Sequence, residues 1–201
     1  MAGRHATTHL GPGDSLGDLL DHPALTGFAR LLLPRTDVEV DRTTRLGDFA
    51  SLLPYHTQVD ARDIAAGLNR LIDDLGAGHQ AFIDIYTPAE KARTPGKADT
   101  GLIFLRGRPG APFAVIAPGG GFSYVAVVHE GLPYALALNR HGFNAFVLRY
   151  RVEQGATAAT EDLAAALSTI FRHASTLQVS TDGYSLWGSS AGARMAASIG
   201  S

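Results

Sequence analysis

The sequence predicts an α/β fold: a mostly parallel sheet with helices on both faces, preceded by a short helical N-terminal region. Three observations carry this. From about residue 81 onward, β-like runs alternate with helical stretches, the pattern of parallel strands joined by crossover helices. Two of those runs, 113–117 and 144–150, are apolar without strict alternation, as strands buried on both faces must be. Finally, two glycine-rich motifs each follow a strand run, and open α/β sheets bind ligands beyond the carboxyl ends of their strands.

The elements follow in order. Residues 1–80 form a helical N-terminal extension, with 1–14 lacking periodicity and expected to be disordered. Its clearest helix runs from Asp60 to about Leu75. Ile64, Leu68, Leu71, Ile72 and Leu75 make one stripe, Asp60 is the N-cap, and Gly76 and Gly78 end it. Residues 81–201 form the α/β core. It opens with strand runs at 81–86 and 101–106, separated by a polar loop around 88–100. After the strand at 113–117 comes a helix from Leu132 to Arg140, with Pro133 in its first turn and Gly142 beyond its end. The strand at 144–150 leads to a helix from about Thr160 to Ala174. Residues 183–187 form the last strand, and a small-residue helix, 191–199, closes the reading.

Composition narrows the function classes. The chain has 201 residues, 45% hydrophobic and 18% charged, the balance of a soluble globular protein. A formal net charge of −2 gives no electrostatic reason to bind nucleic acid or an anionic membrane, and the only lysines are Lys91 and Lys97. Cysteine is absent, which removes disulfides, thiolate catalysis and Cys-based metal sites. The N-terminus has no apolar signal-peptide core, and the expectation is a soluble, cytoplasmic protein.

The strongest motif is Gly188-Ser189-Ser190-Ala191-Gly192, a G-x-S-x-G placed between a strand and a helix. A nucleophile at the tip of so sharp a turn has a strained backbone. The elbow glycines, Gly188 and Gly192, let strand and helix approach without Cβ clashes. Ser190 is the catalytic candidate; Ser185 and Ser189 are out of frame. The amide of Ala191, at the start of the following helix, is the expected oxyanion donor. The plain alternative is a small-residue turn with no chemistry, and the strand–turn–helix context favours the functional reading.

The second motif, Pro118-Gly119-Gly120-Gly121-Phe122, follows the strand at 113–117. Consecutive glycines let main-chain amides turn toward a ligand, and Gly120 and Gly121 are the candidates for the remaining oxyanion donors. A phosphate-cradling loop does not fit. Neither G-x-G-x-x-G nor G-x-x-x-x-G-K-[ST] reads across 119–128, so no nucleotide, cofactor or metal is expected.

Together with Phe146-Val147-Leu148-Arg149-Tyr150, these motifs make residues 113–201 resemble the α/β-hydrolase esterases, especially the bacterial feruloyl-esterase and acetyl-esterase-like branch. The resemblance implies a serine hydrolase acting on a small-molecule carboxylic ester through an acyl-enzyme at Ser190. It departs from the H-G-G-G form of many esterases, since Pro118 stands where histidine would, leaving open what fixes the oxyanion loop. A peptidase of the prolyl-oligopeptidase type shares the same motifs.

That family orders its triad as serine, acid, histidine. Residues 191–201 contain neither an acidic residue nor a histidine, and all eight histidines precede Ser190. His129, in His129-Glu130-Gly131-Leu132-Pro133, is not a zinc H-E-x-x-H and reads as an exposed or helix-capping histidine. His141 and His173 read as favourable charges near helix C-termini, and Asp162 as one near a helix start. The last strand would be an uncovered edge, apolar on both faces. The expectation is a chain truncated after the nucleophile elbow, from a protein on the order of 300 residues, with negligible activity of its own. The rival class is a non-catalytic, degenerate hydrolase-like binding protein.

Overall fold

The computed structural model describes residues 8–53 and 59–200. Five strands form one sheet: β1 (Phe82–Ile83), β2 (Gly101–Leu105), β3 (Pro112–Ala117), β4 (Asn144–Arg149) and β5 (Ser180–Gly188), in the spatial order β1-β2-β4-β3-β5. β4, β3 and β5 run parallel, while β2 pairs antiparallel with both β1 and β4. The parallel strands are the ones that carry the glycine motifs.

The connections explain why the motifs meet. The chain passes from β3 through α4 (Leu132–Arg140) to β4 on one side. It then crosses back through α5 (Gly155–Leu177) to β5 on the other side of β3. Right-handed crossovers leaving in opposite directions place their helices on opposite faces. Accordingly α2 (Ala61–Gly76) packs with α4, and α5 packs with α6 (Ala191–Gly200). The direction of winding reverses at β3, and such a reversal opens a crevice at the carboxyl ends of the strands.

Aromatic rings fill one face of the sheet. Phe104 and Phe146, paired across β2 and β4, stack with centroids 4.2 Å apart, and Phe113 meets Phe146 edge-on at 5.9 Å. Tyr184 of β5 and Phe171 of α5 continue the cluster beyond Phe113. The N-terminal residues add to the same core rather than building their own. Leu16, Leu19, Leu25, Leu32, Leu46 and Phe49 are fully buried in one cluster with the sheet. Asp60 caps α2 by accepting from the Arg62 amide, and the stripe from Ile64 to Ile72 is buried.

Several sequence expectations need correction. Residues 8–14, expected to be disordered, are held in place: Leu10 is buried, and its amide and carbonyl both bond the Asn69 side chain at 2.7 and 2.9 Å. Residues 1–7 lie outside the described residues. The run at 81–86 shrinks to the two-residue β1, because the chain turns away to form α3 (Pro88–Arg93). That helix lies inside the predicted polar loop, and a capping box between Thr87 and Glu90 starts it.

Helix α5 begins at Gly155, earlier than the predicted Thr160, so Asp162 belongs to the helix interior and not to its dipole end. Asp162 is fully buried and accepts from the Tyr86 hydroxyl at 2.7 Å, the Arg151 amide at 2.6 Å and the Arg151 Nε at 2.9 Å. A buried carboxylate needs such partners, and this one ties the end of β4 to α5.

Candidate active site

β5 ends at Gly188, beside Ala117 at the end of β3, and the chain reverses at once into α6. Ser190 sits at the tip with φ of 49°, a left-handed conformation that few non-glycine residues adopt. The two elbow glycines are there because backbone meets backbone. A Cβ on Gly192 would collide with the Ala117 carbonyl, and one on Gly188 with the main chain of Gly192 and Ala193. Ser190 is solvent-exposed, and Ala191 is the first residue of α6, so its amide lies at the helix N-terminus.

The glycine loop comes directly against this elbow. A Cβ on Gly119 would lie 3.2 Å from the Ser190 Cβ. Gly120, Gly121 and Phe122 all have positive φ, at 147°, 60° and 64°. Gly120 is also packed so closely that a Cβ would overlap the Tyr124 carbonyl. No acceptor within the described residues bonds the amides of Gly120, Gly121 or Ala191. The amide of Gly119 is different: it donates to Glu130 Oε2 at 2.7 Å and to Ser189 Oγ at 3.1 Å.

Glu130, which belongs to neither glycine motif, is thus at the centre of the site. Its carboxylate also accepts from the Ser189 hydroxyl, so it links the glycine loop to the elbow. A π-helical turn, Val127–Gly131, leads into α4 and delivers it. Tyr150, quoted in the sequence only as part of a strand motif, donates its hydroxyl to the Pro118 carbonyl at 2.9 Å. Burial first, and the nearby Glu130 charge next, push that phenol above its ordinary range, so it stays protonated as a donor. Nothing in the local sequence of either residue announces these partners, because they are made across the fold.

The N-terminal segment reaches the same place. Arg149 is almost fully buried and donates through Nη1 to the Leu33 and Pro34 carbonyls, while Val125 donates its amide to Pro34 at 3.0 Å. Burial lowers the Arg149 guanidinium to about 10, which still leaves it charged at neutral pH. Thr36 and Asp37 line a cavity of about 200 Å³ together with Arg149, Tyr150 and Glu153.

The histidines do not gather at Ser190. His129 is buried, contrary to expectation, with Nε2 bonded to the Phe49 carbonyl at 3.0 Å and its ring against Phe49. It anchors the N-terminal extension. His22 is buried against the Thr8 carbonyl, His9 pairs with Asp73, and His141 is the C-cap of α4. His173 lies within α5, away from its end, on the wall of a cavity with Asp84 and Arg172. His5 and His56 are outside the described residues. Among the described residues no histidine bonds Ser190, and no cluster of three or more His, Asp or Glu is placed to hold a metal. No helix among them is long and apolar enough to cross a membrane.

The acetyl ester-xyloside bifunctional hydrolase from Caldicellulosiruptor lactoaceticus superposes with a TM-score of 0.52 at 25% identity, covering 60% of this chain and 46% of that one. The mostly parallel sheet and its flanking helices thus share the fold of that hydrolase. Residues 107–201 match the family model described as BD-FAE. A thermophilic esterase from Thermogutta terrifontis matches at 23% identity, covering 50% of this chain and 39% of that one with a TM-score of 0.47. A sugar hydrolase from Lactococcus lactis matches at 28% identity, covering 51% and 43% with a TM-score of 0.46. The chain therefore spans less than half the length of these hydrolases. No curated protein matches it.

Proposed function

We propose that this protein is a serine hydrolase that cleaves a small-molecule carboxylic ester through an acyl-enzyme at Ser190. The observation that carries the reading is the left-handed Ser190 at the tip of a strand–helix elbow, packed against a glycine loop. The Ser190 hydroxyl oxygen attacks the ester carbonyl carbon while its proton passes to a general base. The carbonyl oxygen becomes an oxyanion, held by the amides of Gly120, Gly121 and Ala191. Collapse expels the alcohol, which takes the proton from the base, and water then releases the acid by the same route.

In this reading the base and its carboxylate partner lie outside the described residues, since no described histidine bonds Ser190. The Caldicellulosiruptor lactoaceticus hydrolase acts on an acetyl ester by its own name, which makes acetylated sugars the first substrates to test.

The test is covalent labelling of the intact protein with a serine-reactive phosphonate, followed by peptide mapping. Modification at Ser190, absent in Ser190→Ala, is the expected result. An intact, folded protein that takes up no probe at Ser190 would sink the reading. In that case the lack of a histidine bonded to Ser190 among the described residues favours the second reading, a non-catalytic protein that binds a ligand at the same place.

A further inference from the structure

Pro118 occupies the place where a histidine side chain commonly stands in such loops, so something else must hold the oxyanion loop in shape. The geometry points to Tyr150 and Glu130 as positioning residues that together fix the orientation of the Pro118–Gly119 peptide, and through it the amides of Gly120 and Gly121. This inference deepens the Ser190 reading and rests on it for its catalytic meaning.

The argument follows the peptide planes one at a time. A trans peptide points its C=O and N–H in opposite directions, so holding either end decides where the other is aimed. The Pro118–Gly119 peptide is held at both ends: Tyr150 donates to the Pro118 carbonyl at 2.9 Å, and the Gly119 amide donates to Glu130 at 2.7 Å. In the next peptide, the Gly119 carbonyl accepts from the Ala126 amide at 3.0 Å, which turns the Gly120 N–H the other way. In the third, the Gly120 carbonyl accepts from the amides of Ser123 and Tyr124, which turns the Gly121 N–H away from them. Each carbonyl is drawn back into the fold; the Gly119 amide is spent on Glu130 and Ser189, and the amides of Gly120 and Gly121 are left for a ligand.

The last two clamps are local and come with the turn itself. The first is not, and it is the one exposed to failure. Gly119, Gly120 and Gly121 carry no side chains to resist rotation, and a flipped peptide would present a carbonyl where an oxyanion must bind. Tyr150 directly follows β4 and Glu130 lies in the turn before α4, so both are set against rigid parts of the scaffold. Glu130 has a second function: by accepting from Ser189 it fixes the loop relative to the elbow that carries Ser190. The Tyr150 ring also braces Phe122, the strained end of the loop, with centroids 6.4 Å apart.

Amide hydrogen exchange tests this without relying on turnover. Tyr150→Phe removes one hydroxyl and keeps the ring. It should speed exchange of the Gly119 and Ala126 amides roughly tenfold, the value of one net hydrogen bond, while the Phe146 and Val147 amides of β4 keep their wild-type rates. Glu130→Ala should free the Gly119 amide to a similar degree, and Glu130→Gln, whose amide oxygen still accepts, should recover part of the loss. Gly119 and Ala126 rates within about twofold of wild type in Tyr150→Phe and Glu130→Ala would overturn the inference.

In the intact protein, Tyr150→Phe should lower kcat about tenfold with KM nearly unchanged, since the clamp acts on the transition state. A purely structural tyrosine would lower the melting temperature and leave that split unmoved. If Ser190 is not a nucleophile, wild type and variants alike will lack turnover while the exchange result stands, so the two failures are distinguishable.

Discussion

The elbow and the glycine loop lie side by side at the carboxyl ends of β5 and β3, yet they are held in opposite ways. The elbow is fixed by exclusion: Gly188 and Gly192 are pressed against main chain, and no side chain fits. The glycine loop is fixed by attachment, through Tyr150, Glu130 and the Pro34 carbonyl, from parts of the chain far away in sequence. The contrast shows that one half of a site can be encoded in five consecutive residues while the other half is encoded in the packing. It also predicts different kinds of failure. Damage to the elbow should be nearly all-or-none, and damage to the loop graded.

Three measurements bear on that contrast. The largest effect is expected from Gly192→Ala, whose Cβ would meet the Ala117 carbonyl. A loss of about 3 kcal/mol or more in urea unfolding is expected, and a change under about 1 kcal/mol would mean that the elbow can relax. Next comes Arg149→Met, which takes the donor from the buried Leu33 and Pro34 carbonyls. It should cost about 2–3 kcal/mol and expose the 33–37 segment to limited proteolysis before the sheet opens. Equal protection in wild type and variant would show that the segment holds by apolar contacts alone.

The smallest effect concerns pH. Burial raises the Tyr150 phenol above its ordinary 10.0. Its contribution to stability is therefore whole below pH 10 and is lost as pH rises through the higher folded value. Tyr150→Phe should flatten the alkaline limb of the stability curve, leaving the part due to Tyr86, whose phenol is raised for the same reason. An unchanged limb would mean that the hydroxyl meets water rather than the Pro118 carbonyl.

What could be read in advance follows the same division. Apolar runs fixed β3 and β4, the Ile64–Ile72 stripe fixed α2, and glycine spacing fixed the elbow, because each depends on neighbours a few residues apart. Misreadings arose wherever a distant partner decided. His129 reads in sequence as exposed or helix-capping, but it is buried against Phe49 of the N-terminal extension. Asp162 was assigned to a helix dipole, but it holds Arg151 and Tyr86. Thr87-x-x-Glu90 was a legible capping signal that the polar composition of 88–100 concealed.

The sequence by itself determined the α/β alternation, the Ser190 elbow and the presence of a glycine loop, since these are matters of periodicity and of where a Cβ can fit. Only the tertiary structure decided that β3 and β5 are neighbours, that Glu130 joins the two loops and that Tyr150 holds the first peptide of the glycine loop. The physical reason is range. Sterics of the backbone act between adjacent residues and leave their mark in residue type, whereas a hydrogen bond from Tyr150 to the Pro118 carbonyl exists only once β4 has been laid beside β3.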